Sequence, residues 1–200
     1  MARYTGPKRR LERREGTSLF GSEKWQKRPN QPGQHPISRG RPSEYAVQFR
    51  EKQKVKRIYG VLERQFQRIV RDALDSEGNS GTALLQYLEL RLDNVVYRLG
   101  LAKTRMQARQ FVNHGHVDVN GAKVDVPSFR VRVGDKITLR KKIVSSDAAK
   151  AREEELAEAF VPEWLESSKN GGKVKGIPKR SELDQSIEER LIIEFYSRKL

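Results

Sequence analysis

The apolar residues of this chain change their spacing once, and that change limits the fold more than any other feature. From Ser43 to Gly100 they recur three and four apart, as Leu62, Phe66, Ile69 and Val70 and then Leu84, Leu85, Leu88 and Leu92, continuing through Val95, Val96 and Leu99. That is the stripe of amphipathic helices. From Val117 the apolar residues alternate instead, as Val117 and Val119, Val124 and Val126, Val131 and Val133, Ile137 and Leu139. Alternation marks half-buried strands. Helices followed by strands, rather than interleaved with them, predict an α+β protein: a small all-helical domain plus a domain of short helices on a small antiparallel sheet.

Punctuation refines this. The first helix starts at Ser43 and meets no Gly or Pro before Gly60, a second carries the Leu62 to Val70 stripe, and Ser76 to Gly81 is a loop. Thr82 is placed to cap a third helix whose apolar spacing runs on to the stop at Gly100. Thr104 to Gln107 has the form of a capping box, and Gly115 can end the helix it opens. Asn120-Gly121 is a two-residue hairpin signal, since both positions tolerate positive φ. Gly134-Asp135 marks a further turn. Residues 147 to 160 predict an acidic helix packing through Leu156, Ala159 and Phe160, and Gly171-Gly172 with Lys173 to Lys175 suggest a hairpin extending the sheet. The apolar stretch Ile187 to Tyr196 must bury itself, most economically against the early helices.

Residues 1 to 42 contain Pro29, Pro32, Gly33, Pro36, Gly40 and Pro42 and predict a basic, mostly irregular arm. It is either a solubilising tail or a segment that orders against phosphates.

Charge narrows the partner. The formal net charge is +15, concentrated in two blocks: 16 Lys and Arg against 5 Asp and Glu in residues 1 to 60, and 12 against 4 in residues 91 to 142. Such a chain repels itself unless a polyanion neutralises it. With no cysteine, disulfides, thiolate zinc sites and cysteine nucleophiles are excluded. No run approaches the roughly 18 apolar residues that span a bilayer, and no signal-peptide stretch opens the chain, so the expectation is a soluble cytoplasmic protein without a membrane partner.

The candidate contacts are cations at helical spacing. After Ser43, Arg50, Lys54 and Arg57 share one face and Lys52 and Lys56 an adjacent one, a ridge backed by Tyr45, Phe49 and Ile58. Lys103, Thr104, Arg105 and Arg109 make a second platform, at a helix start where amides also favour phosphate. The arm adds Arg3, Lys8, Arg9, Arg10, Arg13, Arg14, Arg39 and Arg41. His116 beside the hairpin is a contact for the polyanion or a packed edge residue, and His35, His114 and His116 lack the clustered carboxylates or thiols of a metal site. Tyr45 and Tyr59 could stack on bases, but at helical spacing beside apolar residues they read as core. No catalytic residue, metal or cofactor is expected.

At residues 91 to 139 the sequence resembles a known module. Arg-Leu-Asp-Asn-Val-Val-Tyr-Arg-Leu-Gly (91 to 100), Thr104-Arg105, Ala108-Arg109, His116-Val-Asp-Val-Asn-Gly121 and the Gly134-Asp135 turn resemble the S-four RNA-binding module. Residues 43 to 60, Ala2-Arg-Tyr-Thr-Gly-Pro7, Pro32-Gly-Gln-His35 and Ile193-Glu-Phe-Tyr-Ser197 extend the resemblance to the bacterial small-subunit ribosomal proteins of the S-four family. The resemblance implies a basic arm at 1–42, a helical domain at 43–90 completed by 183–200, and an S-four-type RNA-binding domain at 91–182 with its core at 91–142. It also implies binding of small-subunit ribosomal RNA at a multi-helix junction, nucleation of subunit assembly, and a place beside the path by which messenger RNA enters. Influence on decoding accuracy and neighbours that include the fifth and third small-subunit proteins belong to the same expectation. Many relatives carry an N-terminal zinc-binding cysteine cluster, which this chain lacks, so no metal is expected there.

Two other classes compete. Arg91-Leu92-Asp93 superficially resembles the surroundings of the catalytic aspartate in pseudouridine synthases, but those enzymes carry a catalytic domain far longer than the 58 residues after Lys142. Asp93 is therefore expected to be structural, paired to an arginine. The other alternative is a free-standing RNA chaperone.

Overall fold

A computed structural model describes residues 4–21, 26–28, 30–34, 40–140, 161–168 and 170–197. Arg3, His35, Arg39 and the acidic segment 147–160 lie outside the described residues. Those described form seven α-helices and a five-stranded antiparallel sheet, the α+β class expected. The helices are α1 (Lys8–Glu15), α2 (Glu44–Ile58), α3 (Glu63–Leu74), α4 (Ser80–Glu89), α5 (Leu92–Arg98), α6 (Arg105–Asn113) and α7 (Glu189–Ser197). The strands are β1 (Val117–Val119), β2 (Ala122–Lys123), β3 (Lys136–Leu139), β4 (Leu165–Ser168) and β5 (Gly171–Val174). Two compact units result, Met1–Leu84 with Gln185–Leu200, and Leu85–Asp184.

In the first unit α2 begins where Ser43 accepts a hydrogen bond from the Ala46 amide. Phe66, Ile69, Val70 and Ala73 form the buried stripe of α3, whereas Leu62, expected to join it, sits exposed at the N-cap. The apolar end of the chain packs as expected on the early helices: Phe195 lies 5.5 Å from the Tyr45 ring and 6.0 Å from Phe49, and Tyr196 lies 6.0 Å from Phe66. The arm has one element of its own, α1. It opens after Pro7, whose fixed φ suits a helix start, and ends at Gly16. Its buried Glu12 accepts hydrogen bonds from the Leu19 and Phe20 amides at 3.3 and 3.2 Å, which fastens the following loop. A helix with so little apolar surface leaves almost no periodic signal.

The third helix read from periodicity is two. Asn79, not Thr82, caps α4, its side-chain oxygen accepting from the Gly81 and Thr82 amides. Arg91 is extended and bridges to Arg130, while the Leu92 amide donates to the Phe129 carbonyl and the Asp93 amide to Pro127. Leu88, Leu92, Val95 and Val96 are all buried on both sides of the break, so the apolar spacing carries across it unchanged.

In the second unit the strand order is β2-β1-β3-β5-β4. Asn120 and Gly121 take φ of 52° and 82°, as the hairpin signal requires, and the Asn120 carboxamide accepts from the Lys136 amide at 2.9 Å. The partner strand is shorter than expected: strand pairing covers Ala122 and Lys123, with one further bond from the Val124 amide to the Val117 carbonyl, Val126 and Val133 are exposed, and Val131 is buried. The predicted second hairpin does extend the sheet, with Gly171 and Gly172 inside β5 rather than in its turn. A Cβ on Gly171 would strike the Ile137 carbonyl, and one on Gly172 the Leu99 side chain and the Glu166 carbonyl, so the glycines admit close approach. Val112, Val117, Ile137, Trp164 and Val174 join the α5 residues in one core.

Candidate nucleic-acid interface

On α2 the predicted ridge is largely neutralised by the protein itself. Lys52 points inward: its side chain is 4% exposed, its ammonium donates to Glu63 at 2.8 Å and lies 4.7 Å from the Phe49 ring centroid and 4.9 Å from that of Phe195. It follows Phe49 by three residues and so enters the core where α7 packs, whereas Tyr45, expected in the core, is 53% exposed with one side against Phe195. Lys56 donates to the other oxygen of Glu63 at 2.8 Å. Lys54 pairs with Glu51 at 3.2 Å and also donates to the Ser186 carbonyl. Arg50 and Arg57 both reach Glu15 at the end of α1, Arg50 at 3.4 Å. A surface ridge is thus corrected to a set of internal ion pairs, with Lys52 in the core.

These pairs perturb their members. Burial opposes ionisation of Glu63, but hydrogen bonds from Lys52, Lys56 and Tyr196 outweigh it and hold the carboxyl down at about 2. Burial and that same bond push the Tyr196 hydroxyl well above the usual tyrosine range. Glu15 goes the other way: burial raises its pKa against the pull of Arg57, Arg50 and Arg14. Burial likewise lowers Arg50, opposed by Glu15.

In the arm, Lys8, Arg9, Arg10, Arg14 and Arg41 are exposed. Arg13 donates to the Asn30 carbonyl at 2.8 Å and Arg14 to the Gln31 carboxamide at 3.2 Å, while the Lys8 ammonium stands 5.7 Å from the Phe20 ring centroid.

The second cluster stands where α6 meets α5. Thr104 caps α6 by accepting from the Gln107 amide, and the Gln107 side chain accepts from the Lys103 amide, one residue before the position a capping box uses. Lys103 is exposed at this start. Arg105 is held in place: Nε donates to Asn94 Oδ1 at 2.8 Å and the guanidinium lies 4.6 Å from the Tyr97 ring centroid. Asn94 donates in turn to Glu89, which also receives a two-pronged bond from Arg98 at 2.7 and 2.9 Å. Arg109, four residues on, is buried and reaches Asp93 at 3.3 Å; Arg91 grips the same carboxylate at 2.9 and 3.1 Å. Arg105 and Arg109 therefore do not form one open platform. Arg105 is the partly exposed, oriented cation, and Arg109 belongs to a buried triad.

His116 is half-buried, edge-on to Phe111 and with its ring 5.9 Å from that of His114. Both histidines, Lys123 and Arg140 line a groove of about 600 Å³. Among the described residues no three His, Cys, Asp or Glu side chains are grouped to hold a metal ion, and no helix is long and apolar enough to cross a membrane.

What sequence reasoning missed are the partners. Glu15 meets Arg57 across 42 residues and Glu63 meets Tyr196 across 133, separations at which no spacing rule operates. Tyr97 under Arg105 leaves no periodic trace either.

Residues 3–89 match the family described as ribosomal protein S4/S9 N-terminal domain, and residues 90–137 match the S4 domain. The chain is 51% identical over 211 residues to the small ribosomal subunit protein uS4 of Natranaerobius thermophilus, covering 99% of this chain and 100% of the relative. It is 53% identical over 213 residues to the protein of the same name in Herpetosiphon aurantiacus, with the same coverage, and 49% identical over 211 residues to the uS4A protein of Symbiobacterium thermophilum.

Proposed function

The chain belongs to the S4 family of small-subunit ribosomal proteins, and we propose that within that family it acts as a primary binder of small-subunit ribosomal RNA that nucleates assembly at a multi-helix junction. The observation that carries this is likeness over 99% of the chain to relatives named as small-subunit proteins. It is a structural constituent of the small subunit, cytoplasmic in location, lying beside the path of incoming messenger RNA and affecting decoding accuracy. The fifth and third small-subunit proteins are its expected neighbours.

The geometry supports contact through charge fixed in place. Folded RNA presents phosphates and 2′-hydroxyls outward, which reward oriented cations more than base-reading groups. Arg105, stacked on Tyr97 and tied to Asn94, is such a cation, with Lys103 beside it and His116, Lys123 and Arg140 along the groove. The exposed arginines and lysine of α1 add a further cationic surface. An isomerase reading needs a free aspartate, whereas Asp93 is buried between Arg91 and Arg109.

Binding of transcribed small-subunit RNA across a salt series tests the reading. If about 8 to 10 phosphates are engaged, log K falls against log salt with a slope of roughly −6 to −9. A slope shallower than about −3 would contradict it, as would sedimentation free of small subunits at high salt. Nucleotide footprinting with Arg105→Gln should lose protection locally while the rest of the footprint persists.

A further inference from the structure

We propose that the outer face of α3 is a second phosphate-contact rail, formed by Arg64, Arg68 and Arg71, which engages the sugar-phosphate backbone of the RNA; the inference rests on the RNA-binding reading above. The three arginines are four and three residues apart and all exposed. At about 100° per residue they fall within a sector of about 60°. That sector points opposite the buried stripe of Phe66, Ile69, Val70 and Ala73, away from the core of the unit.

The case turns on the contrast with α2. Each of the five cations on α2, Arg50, Lys52, Lys54, Lys56 and Arg57, faces a carboxylate of the same unit. Among the described residues, none of the three arginines on α3 has an ion-pair partner. Counterion release rewards charge that is still surrounded by mobile ions. A cation already held by Glu15 or Glu63 must leave that partner before it can hold a phosphate, and its net contribution shrinks accordingly. The free guanidiniums of α3 carry no such cost, and their forked donors match phosphate oxygens.

The acids nearby do not close the rail. Glu63 is engaged by Lys52, Lys56 and Tyr196. Asp72 and Asp75 follow Arg68 and Arg71 by four residues, about 40° around the helix, yet among the described residues neither forms an ion pair with these arginines, and Asp75 is the C-cap. A solvated helix face would look similar in composition, but it would leave RNA binding indifferent to these charges.

The test is the full chain carrying R64Q/R68Q/R71Q, which removes charge while keeping helix propensity, beside R64K/R68K/R71K, which keeps the charge. Binding of transcribed small-subunit RNA is measured from about 50 to 200 mM salt, with the thermal unfolding curve as a check on folding. The glutamine triple should flatten the salt slope by about 2 and weaken binding roughly tenfold at the upper salt, while the lysine triple keeps the wild-type slope. If the glutamine triple fails to fold, R68Q alone should flatten the slope by about 0.7 to 0.9. A wild-type slope in the folded glutamine variants overturns the rail and leaves RNA binding standing. The same slope with poorer recruitment of a neighbouring protein assigns the face to an acidic protein surface and also overturns it. A wild-type chain that itself shows a slope shallower than about −3 removes the RNA reading and the rail together.

Discussion

The Tyr196 hydroxyl donates to Glu63 at 2.7 Å, joining α7 to the first turn of α3 across 133 residues of chain. The same carboxylate accepts from Lys52 and Lys56, so one acid ties three helices.

That arrangement sets an acid sensitivity. Glu63 titrates at about 2 in the folded protein against 4.5 for an unperturbed glutamate, so its contribution is full above 4.5 and disappears as pH falls through about 2. The side chain is 37% exposed, which screens the pairs, and after that discount the loss is about 1 kcal/mol. Glu15 acts with the opposite sign: its raised pKa favours folding most below 4.5, and that preference fades as pH rises through the folded value. Thermal melts of Glu63→Gln between pH 5 and 2 should therefore show a weaker acid destabilisation than the wild type. Equal acid slopes would reject the account.

Asp93 should behave as a structural ion. Asp93→Asn leaves two guanidiniums without their shared carboxylate, and breaking a buried pair costs about 3 to 5 kcal/mol. The expected result is a Tm lower by 10 °C or so, with no uridine isomerisation by the wild type to be lost. A near-wild-type melt would show that the triad is not a buried anchor.

Gly171→Ala tests the sheet. The added methyl meets the backbone carbonyl of Ile137 in the neighbouring strand, which cannot rotate away. Overpacking of this kind costs about 1 to 3 kcal/mol, and the pairing of β3 with β5 should open first in amide exchange. Unchanged protection at Ile137 and Leu139 would show that the strands adjust.

Much of the fold was legible because it obeys local rules. Ser43 and Thr104 cap helices through their own side chains, Asn120-Gly121 takes the turn its backbone freedom allows, and Phe195 and Tyr196 bury because a polar chain cannot leave them in water. The break between α4 and α5 was not, because the hydrogen bonds that replace the helix there come from Pro127 and Phe129, far along the chain. The cations were legible as residue types but not in their orientation. Lys52 and Lys54 sit on one helix two residues apart, yet the first enters an aromatic core and the second lies along Glu51. Which of them meets an acid depends on Glu15 and Glu63, brought close only by the folded backbone.

The first unit is discontinuous, and this orders events while the chain is being made. Helices α2 and α3 leave the exit tunnel early, but their aromatic faces stay open until Phe195 and Tyr196 emerge. At about 5 to 20 residues per second, the 133 residues between Glu63 and Tyr196 take about 7 to 27 s to synthesise. The unit between them can fold while the helices wait. A product that stops short of α7 would thus hold a finished sheet beside an unfinished helical core, a sticky half-protein suited to quality control rather than to assembly.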